Sequence, residues 1–181
     1  HALAKLPLNR LAEARQLDKL RVLELSFSRQ GKPEPANAAP VLAELDCHYP
    51  AKTEPLNREL CQLLIHLEAP GVVRKTLGLM AAARTQEEQT HYAFHLRSLQ
   101  RGWTMDERRT YFAWFTKALT EFKGGNSFSK YLANAQRDAA SLLSSAQRTE
   151  LAGLIGEVPA PVIPQPSPNR KLVREWKIGD L

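Results

Sequence analysis

Residues 85–107 read TQEEQTHYAFHLRSLQRGWTMDE, and this stretch contains the clearest signals of the fold. Thr85 with Glu88, and Thr104 with Glu107, have the spacing of the capping box that begins many helices. In a capping box the threonine oxygen accepts a hydrogen bond from the third helical amide, and the glutamate accepts one from the threonine amide. The stretch therefore predicts two successive helices that are joined by a short turn.

The end of the first of these helices is also encoded. Gly102 can adopt the left-handed conformation that closes a helix, which lets Trp103 pack back on the last turn. Similar start and stop signals, with apolar residues at helical spacing, recur along the chain. The predicted helices are 10–30, 38–47, 54–67, 72–83, 86–101, 105–123, 127–143 and 146–155.

These helices predict an all-α protein, since no segment alternates polar and apolar residues as a strand does. Short turns between helices, with hairpins of about 30 to 40 residues, are typical of helical repeats. We therefore expect an α-α superhelix of the HEAT or armadillo kind, with about eight helices and a proline-rich C-terminal extension. A compact irregular bundle is the alternative.

Two helices illustrate how the buried faces are predicted. In the third helix, five leucines fall on a single stripe that must be buried: Leu56, Leu60, Leu63, Leu64 and Leu67. In the first helix, Val22 and Leu25 widen the apolar arc, which predicts contacts with neighbours on more than one side.

Composition supports one helical-repeat domain over residues 1–156. The 181 residues are 43% hydrophobic and 24% charged, and no apolar run reaches the ~20 residues that cross a membrane. Residues 157–181 contain the run PAPVIPQPSP, which favours an extended polyproline II linker. We expect this segment to lead into a following module, and the chain to be a fragment of a longer protein without a visible export signal.

The formal charge of +6 weakly favours anionic partners. Four arginines near one helix junction form a possible anion-binding patch: Arg97, Arg101, Arg108 and Arg109. Asp106 and Glu107 lie among them, so we prefer a solvated helical surface and keep a nucleic-acid-binding HEAT-like module as the alternative.

A second alternative is a metal site on the fifth helix. His91 and His95 are four residues apart and share a face with Glu87 and Glu88, and such nitrogen and oxygen donors suit transition metals. The pattern is not HExxH, and no other cluster supplies the remaining ligands. We therefore predict no bound metal or other cofactor, and treat these four residues as minority candidates.

No recognised catalytic motif occurs, so no catalytic residue is assigned. Residues 111–115, YFAWF, are predicted to be core, with Trp114 at its edge. Cys47 and Cys61 fit neither a redox pair nor a zinc ribbon, and we expect two small buried thiols, with a disulfide as the alternative if the protein is exported.

Several motifs together resemble a HEAT-like helical-repeat region of very large secreted bacterial proteins of planctomycete type. The resemblance runs from about residue 20 to 181. The segments that carry it are 49–51 (YPA), 56–61 (LNRELC), 85–89 (TQEEQ), 91–93 (HYA), 96–97 (LR), 102–104 (GWT), 111–115 (YFAWF), 124–128 (GGNSF) and 174–176 (REW).

In that family a dehydrogenase-like propeller commonly precedes the helices, and a c-type cytochrome with CxxCH follows them. The resemblance implies export to the periplasm or beyond, and a non-catalytic scaffold that binds neighbouring modules of its own polypeptide or other proteins. The haem ligands and catalytic groups of the family belong to those other modules, so none is transferred to this chain.

Overall fold

The computed structural model describes residues 6–125 and 127–156. The predicted linker 157–181 and the turn residue Asn126 lie outside them. The described residues form nine α-helices and no strand, which confirms the all-α prediction. The helices are α1 (Glu13–Gln30), α2 (Pro35–Asp46), α3 (Glu54–His66), α4 (Val72–Ala82), α5 (Gln86–Leu96), α6 (Met105–Glu121), α7 (Phe128–Ser141), α8 (Ser145–Glu150) and α9 (Ala152–Ile155).

The helices pack chiefly on neighbours one or two places away in the chain. Helix α3 contacts α1 on one side and α5 on the other, while α4 contacts both α5 and α6. Side chains of α5 also meet α7, and the short α9 packs on α6 and α7. The helices α1, α3, α5 and α7 thus form one row, as in stacked helical hairpins. None of the described helices is both long and apolar enough to cross a membrane.

The core agrees with the apolar stripes seen in the sequence. The five leucines of the α3 stripe are all buried, and so are the aromatic side chains of 111–115. Trp114 is 8% exposed, against 0–1% for Tyr111, Phe112 and Phe115, as expected for the edge of the aromatic group. Its Nε1 donates a hydrogen bond to Gln89 Oε1 at 2.9 Å, which satisfies the indole N–H.

The two predicted capping boxes differ. Thr104 forms the complete box, since its Oγ1 accepts from the Glu107 amide and its own amide donates to Glu107 Oε2. At Thr85 only one half forms, in which Oγ1 accepts from the Glu88 amide at 3.2 Å. Glu88 instead accepts a hydrogen bond from the Tyr92 hydroxyl through Oε1.

Several helix ends differ from the prediction. Helix α1 begins after Ala12 and not at residue 10, because Leu8–Arg10 form a 3-10 turn that buries Leu8. Helix α2 begins at Pro35, three residues early. The predicted last helix divides at Leu151 into α8 and α9.

Helix α5 also ends earlier than predicted, at Leu96, and a turn follows. Gly102 has the predicted positive φ, of 82°, but it lies six residues beyond the end of α5 and does not close that helix, whose C-cap is Arg97. Trp103 packs back as expected, and its Nε1 donates to Leu99 O at 2.8 Å.

The outer side of α1 differs from the prediction that its wide apolar arc contacts neighbours on more than one side. Val22 and Leu25 are 49% and 55% exposed, whereas Leu20 and Leu23 of the same helix are buried. The apolar arc is therefore wider than the face that α1 packs against the rest of the described chain.

Candidate partner-binding groove

The four predicted metal candidates lie on α5 but do not converge. Glu87 is exposed, and Glu88 is engaged by the Tyr92 hydroxyl. The His91 and His95 rings are adjacent, with centroids 4.5 Å apart. Across residues 6–125 and 127–156, no three His, Cys, Asp or Glu side chains are grouped so that they could hold a metal ion.

Burial sets the charge state of the two histidines. The pKa of His95 is lowered to about 4, chiefly by burial and also by the nearby His91, Arg97 and Arg58. Burial also lowers the pKa of His91, whose Nε2 lies 3.3 Å from the backbone oxygen of Arg58. Both imidazoles are therefore neutral at pH 7.

The four arginines of the predicted anion patch are dispersed. The guanidinium of Arg97 lies 3.4 Å above the Phe94 ring and forms an ion pair with Asp138. Arg109 pairs with both Asp106 and Glu150.

The other two arginines of this set have contrasting environments. Arg108 is buried beside the Trp103 ring, and it donates to Gln100 O at 3.0 Å. Arg101 is exposed. Three of the four thus have intramolecular partners, which reduces the positive surface available to a phosphate backbone.

Both cysteines are free thiols. Cys61 is buried, and burial raises its pKa to about 12, so this thiol is protonated. Cys47 is exposed, and its thiol donates to Glu44 O at 3.0 Å. Two thiols are present and the alternative disulfide is not formed. The prediction that both thiols are buried is wrong for Cys47, which lies at the exposed end of α2.

A groove crosses the row formed by α1, α3, α5 and α7. It consists of two adjoining cavities of about 380 and 320 Å³ that share Arg58 and His91. The polar half, between α1 and α3, is also lined by Arg21, Glu24, Glu54, Glu59 and Gln62. The aromatic half, between α5 and α7, is also lined by Gln86, Glu87, Thr90, Phe94, Phe128 and Tyr131.

Two ion pairs occupy the polar half. Arg21 Nε lies 3.0 Å from Glu59 Oε1, and Arg58 Nη1 lies 3.0 Å from Glu54 Oε1. Glu24 has no cationic partner in the described part of the chain; its Oε1 accepts a hydrogen bond from the Gln62 amide. This arrangement leaves one carboxylate of the polar half unneutralised.

The aromatic half is bounded by a wall of three near-parallel rings. The Phe94 and Tyr131 centroids are 5.4 Å apart, and those of Tyr131 and Phe128 are 6.4 Å apart. Tyr131 remains 38% exposed. Thr90 also lines this half, and its buried Oγ1 has no hydrogen-bond partner among the described residues. The three rings thus give this half of the groove an apolar wall.

Other hollows are each larger than either half of the groove. One, of about 530 Å³, lies beside the 3-10 turn and holds Cys47 and His48. A second, of about 510 Å³, lies between the end of α6 and the start of α7, and a third, of about 430 Å³, is lined by Gln100, Arg108 and Gln147. Each involves one end of the stack, whereas the groove is built by four helices. The groove is therefore the candidate site with the most extended surface.

Sequence reasoning found His91 and Glu87 but missed the groove around them. The spacing of Glu54 and Arg58 signalled an ion pair on one helix, yet nothing local brings Glu24 of α1 near them. Comparison of the chain with protein-family profiles, with curated protein sequences and with solved structures finds no match.

Proposed function

We propose that this chain is a non-catalytic helical-repeat scaffold that binds other protein modules through the groove across α1, α3, α5 and α7. The observation that carries the proposal is the groove itself, in which residues of four helices line two adjoining cavities that share Arg58 and His91. Helical-repeat proteins commonly bind their partners on such extended surfaces.

The chemistry of the groove supports binding better than catalysis. His91 is the lining group best suited to move a proton, and its buried Nε2 already contacts the backbone oxygen of Arg58. The two arginines of the polar half are paired with carboxylates. Such groups favour recognition of a complementary surface.

The proposal places this scaffold in a larger exported protein. The resemblance of residues 20–181 to secreted multidomain proteins supports partners that are redox modules of the same polypeptide, a propeller on one side and a c-type cytochrome on the other. The role of the chain would be to hold these modules at a set separation, with residues 157–181 as the link to the second.

Hydrogen–deuterium exchange of the 181-residue chain tests this function. The chain is measured alone and with separately produced flanking modules of its parent polypeptide. We expect slower exchange in α3 and α5, on the side that faces the groove, when a module is added. Unchanged exchange along the groove with every module would overturn the proposal, as would protection confined to α4 and α6.

A further inference from the structure

We propose that the groove binds an extended polypeptide segment that carries two basic side chains, one for Glu24 and one for Glu87, and an apolar side chain beside the second. This inference rests on the proposed function and names the chemistry of the partner.

The charge of the groove argues for a basic partner. Four carboxylates line it, against two guanidiniums that are already paired with Glu54 and Glu59. The neutral His91 adds no positive charge at pH 7. A groove with excess negative charge, on a chain of net charge +6, selects a cationic ligand and repels a phosphate backbone.

The two unneutralised carboxylates lie in different halves of the groove. Glu24 on α1 interacts with the Gln62 amide, and Glu87 on α5 accepts from the Gln86 amide at 3.2 Å. Within the described chain neither forms an ion pair, so a bound lysine or arginine displaces no internal cation. Each carboxylate is thus available to pair with a ligand.

The separation of these helices sets the length of the segment. Packed helix axes are 8–10 Å apart, so α1 and α5, with α3 between them, are roughly 16–20 Å apart. An extended chain spans about 3.3 Å per residue. A segment of about six residues therefore reaches from one carboxylate to the other.

The aromatic half provides the apolar contact. Phe94, Tyr131 and Phe128 line the same cavity as Glu87, so an apolar side chain next to the second basic residue can pack on the rings. The charge and apolar preferences together define a sequence pattern that a peptide can reproduce.

Fluorescence anisotropy with a labelled, capped hexapeptide tests the proposal. The peptide has lysine at positions one and six, leucine at position five and alanine elsewhere; in the control peptide glutamate replaces both lysines. We expect only the basic peptide to bind, with an affinity that falls as salt rises. Equal binding of the two peptides, or no binding of either at low salt, would overturn the proposal.

Variants of the 181-residue chain locate the binding. Glu24→Gln and Glu87→Gln should each weaken peptide binding about threefold, and together about tenfold, as expected for partly exposed ion pairs. Glutamine keeps the hydrogen bond of Glu24 with Gln62, so folding is preserved. Glu121→Gln on α6 makes the same charge change away from the groove and should leave affinity unchanged.

Two further outcomes test this inference separately from the scaffold function on which it rests. Loss of peptide binding in Glu121→Gln but not in the groove variants would overturn it in favour of another surface. If flanking modules protect the groove from exchange while the basic peptide fails to bind, the scaffold function stands and the proposed partner chemistry is wrong.

Discussion

At the scale of single residues, burial decides the charge of the histidines on α5. Because the pKa of His95 falls to about 4 in the folded chain, from an ordinary 6.5, the unfolded chain binds more protons between these pH values. Stability is therefore fully present above pH 6.5 and decreases as the pH falls. His91, whose pKa is also lowered, acts in the same direction.

We predict that the free energy of unfolding falls by up to about 1.4 kcal/mol per pH unit from pH 6.5 towards pH 4 on account of His95. Urea denaturation at a series of pH values measures this slope. His95→Gln should reduce it, and carboxylates elsewhere contribute equally to both proteins. An unchanged slope in the variant would mean that His95 is protonated in the folded chain.

Among the glycines of the described chain, Gly124 is the one at which an added Cβ would collide with a neighbouring side chain. A Cβ at this position would lie 2.5 Å from Phe128 Cγ, close to the base of the ring. We predict that Gly124→Ala lowers the free energy of unfolding by about 1–3 kcal/mol, because the ring cannot move away without leaving the aromatic wall. A Cβ added at Gly125 would have no neighbour within 4 Å, so Gly125→Ala is the matched control in denaturant unfolding.

At the scale of elements, helix starts that look alike in sequence differ in strength. Thr104 makes both hydrogen bonds of the capping box of α6. Thr53 precedes α3 with similar backbone geometry, but its side chain makes no capping hydrogen bond. Three positions later the chain has Glu107 in one case and Leu56 in the other, so Thr104 can complete the box through a glutamate side chain and Thr53 cannot.

We predict that Thr104→Ala lowers the free energy of unfolding by about 1 kcal/mol, as is usual for the loss of an N-cap. Thr53→Ala should cost less, since no capping bond is lost. Thermal or urea unfolding of the two variants gives the comparison. Equal losses would show that burial of the threonine, rather than the cap, is responsible.

At the scale of the whole molecule, a buried lysine joins the N-terminal segment to α1 and α2. Lys19 Nζ donates to Leu6 O at 2.8 Å and lies 2.6 Å from Glu44 Oε1. The same Glu44 oxygen accepts from the Leu8 amide at 2.8 Å. Three segments that are distant in sequence thus share one ionic cluster.

We predict that Lys19→Met lowers the free energy of unfolding by about 3 kcal/mol, because Glu44 is left partly buried without its cation. Lys32→Met removes a comparable ion pair with Glu68, but there both side chains are 44% exposed. That variant should cost less than about 1 kcal/mol. A loss of similar size in both would contradict the role of burial.

The helical class, most helix positions and the buried apolar stripes could be predicted from the sequence alone. The leucines of α3, the aromatic run 111–115 and the turn at Gly102 all follow from interactions within a few residues, which periodicity and capping report directly. The start of α1 differed from the prediction because contacts from elsewhere, such as the Glu44 bond to the Leu8 amide, compete with local preference.

Which polar groups contact one another depends on the tertiary structure. His91 and Glu87 were visible on one helix face, but their neighbours Arg58 and Glu24 come from helices up to 67 residues away in the chain. Burial, which depends on all the surrounding helices, makes His91 and His95 neutral. The packing of α5 and α6 against other helices gives Arg97 and Arg109 different acidic partners. Such desolvation and charge pairing cannot be predicted from local sequence patterns, because both arise when distant helices pack together.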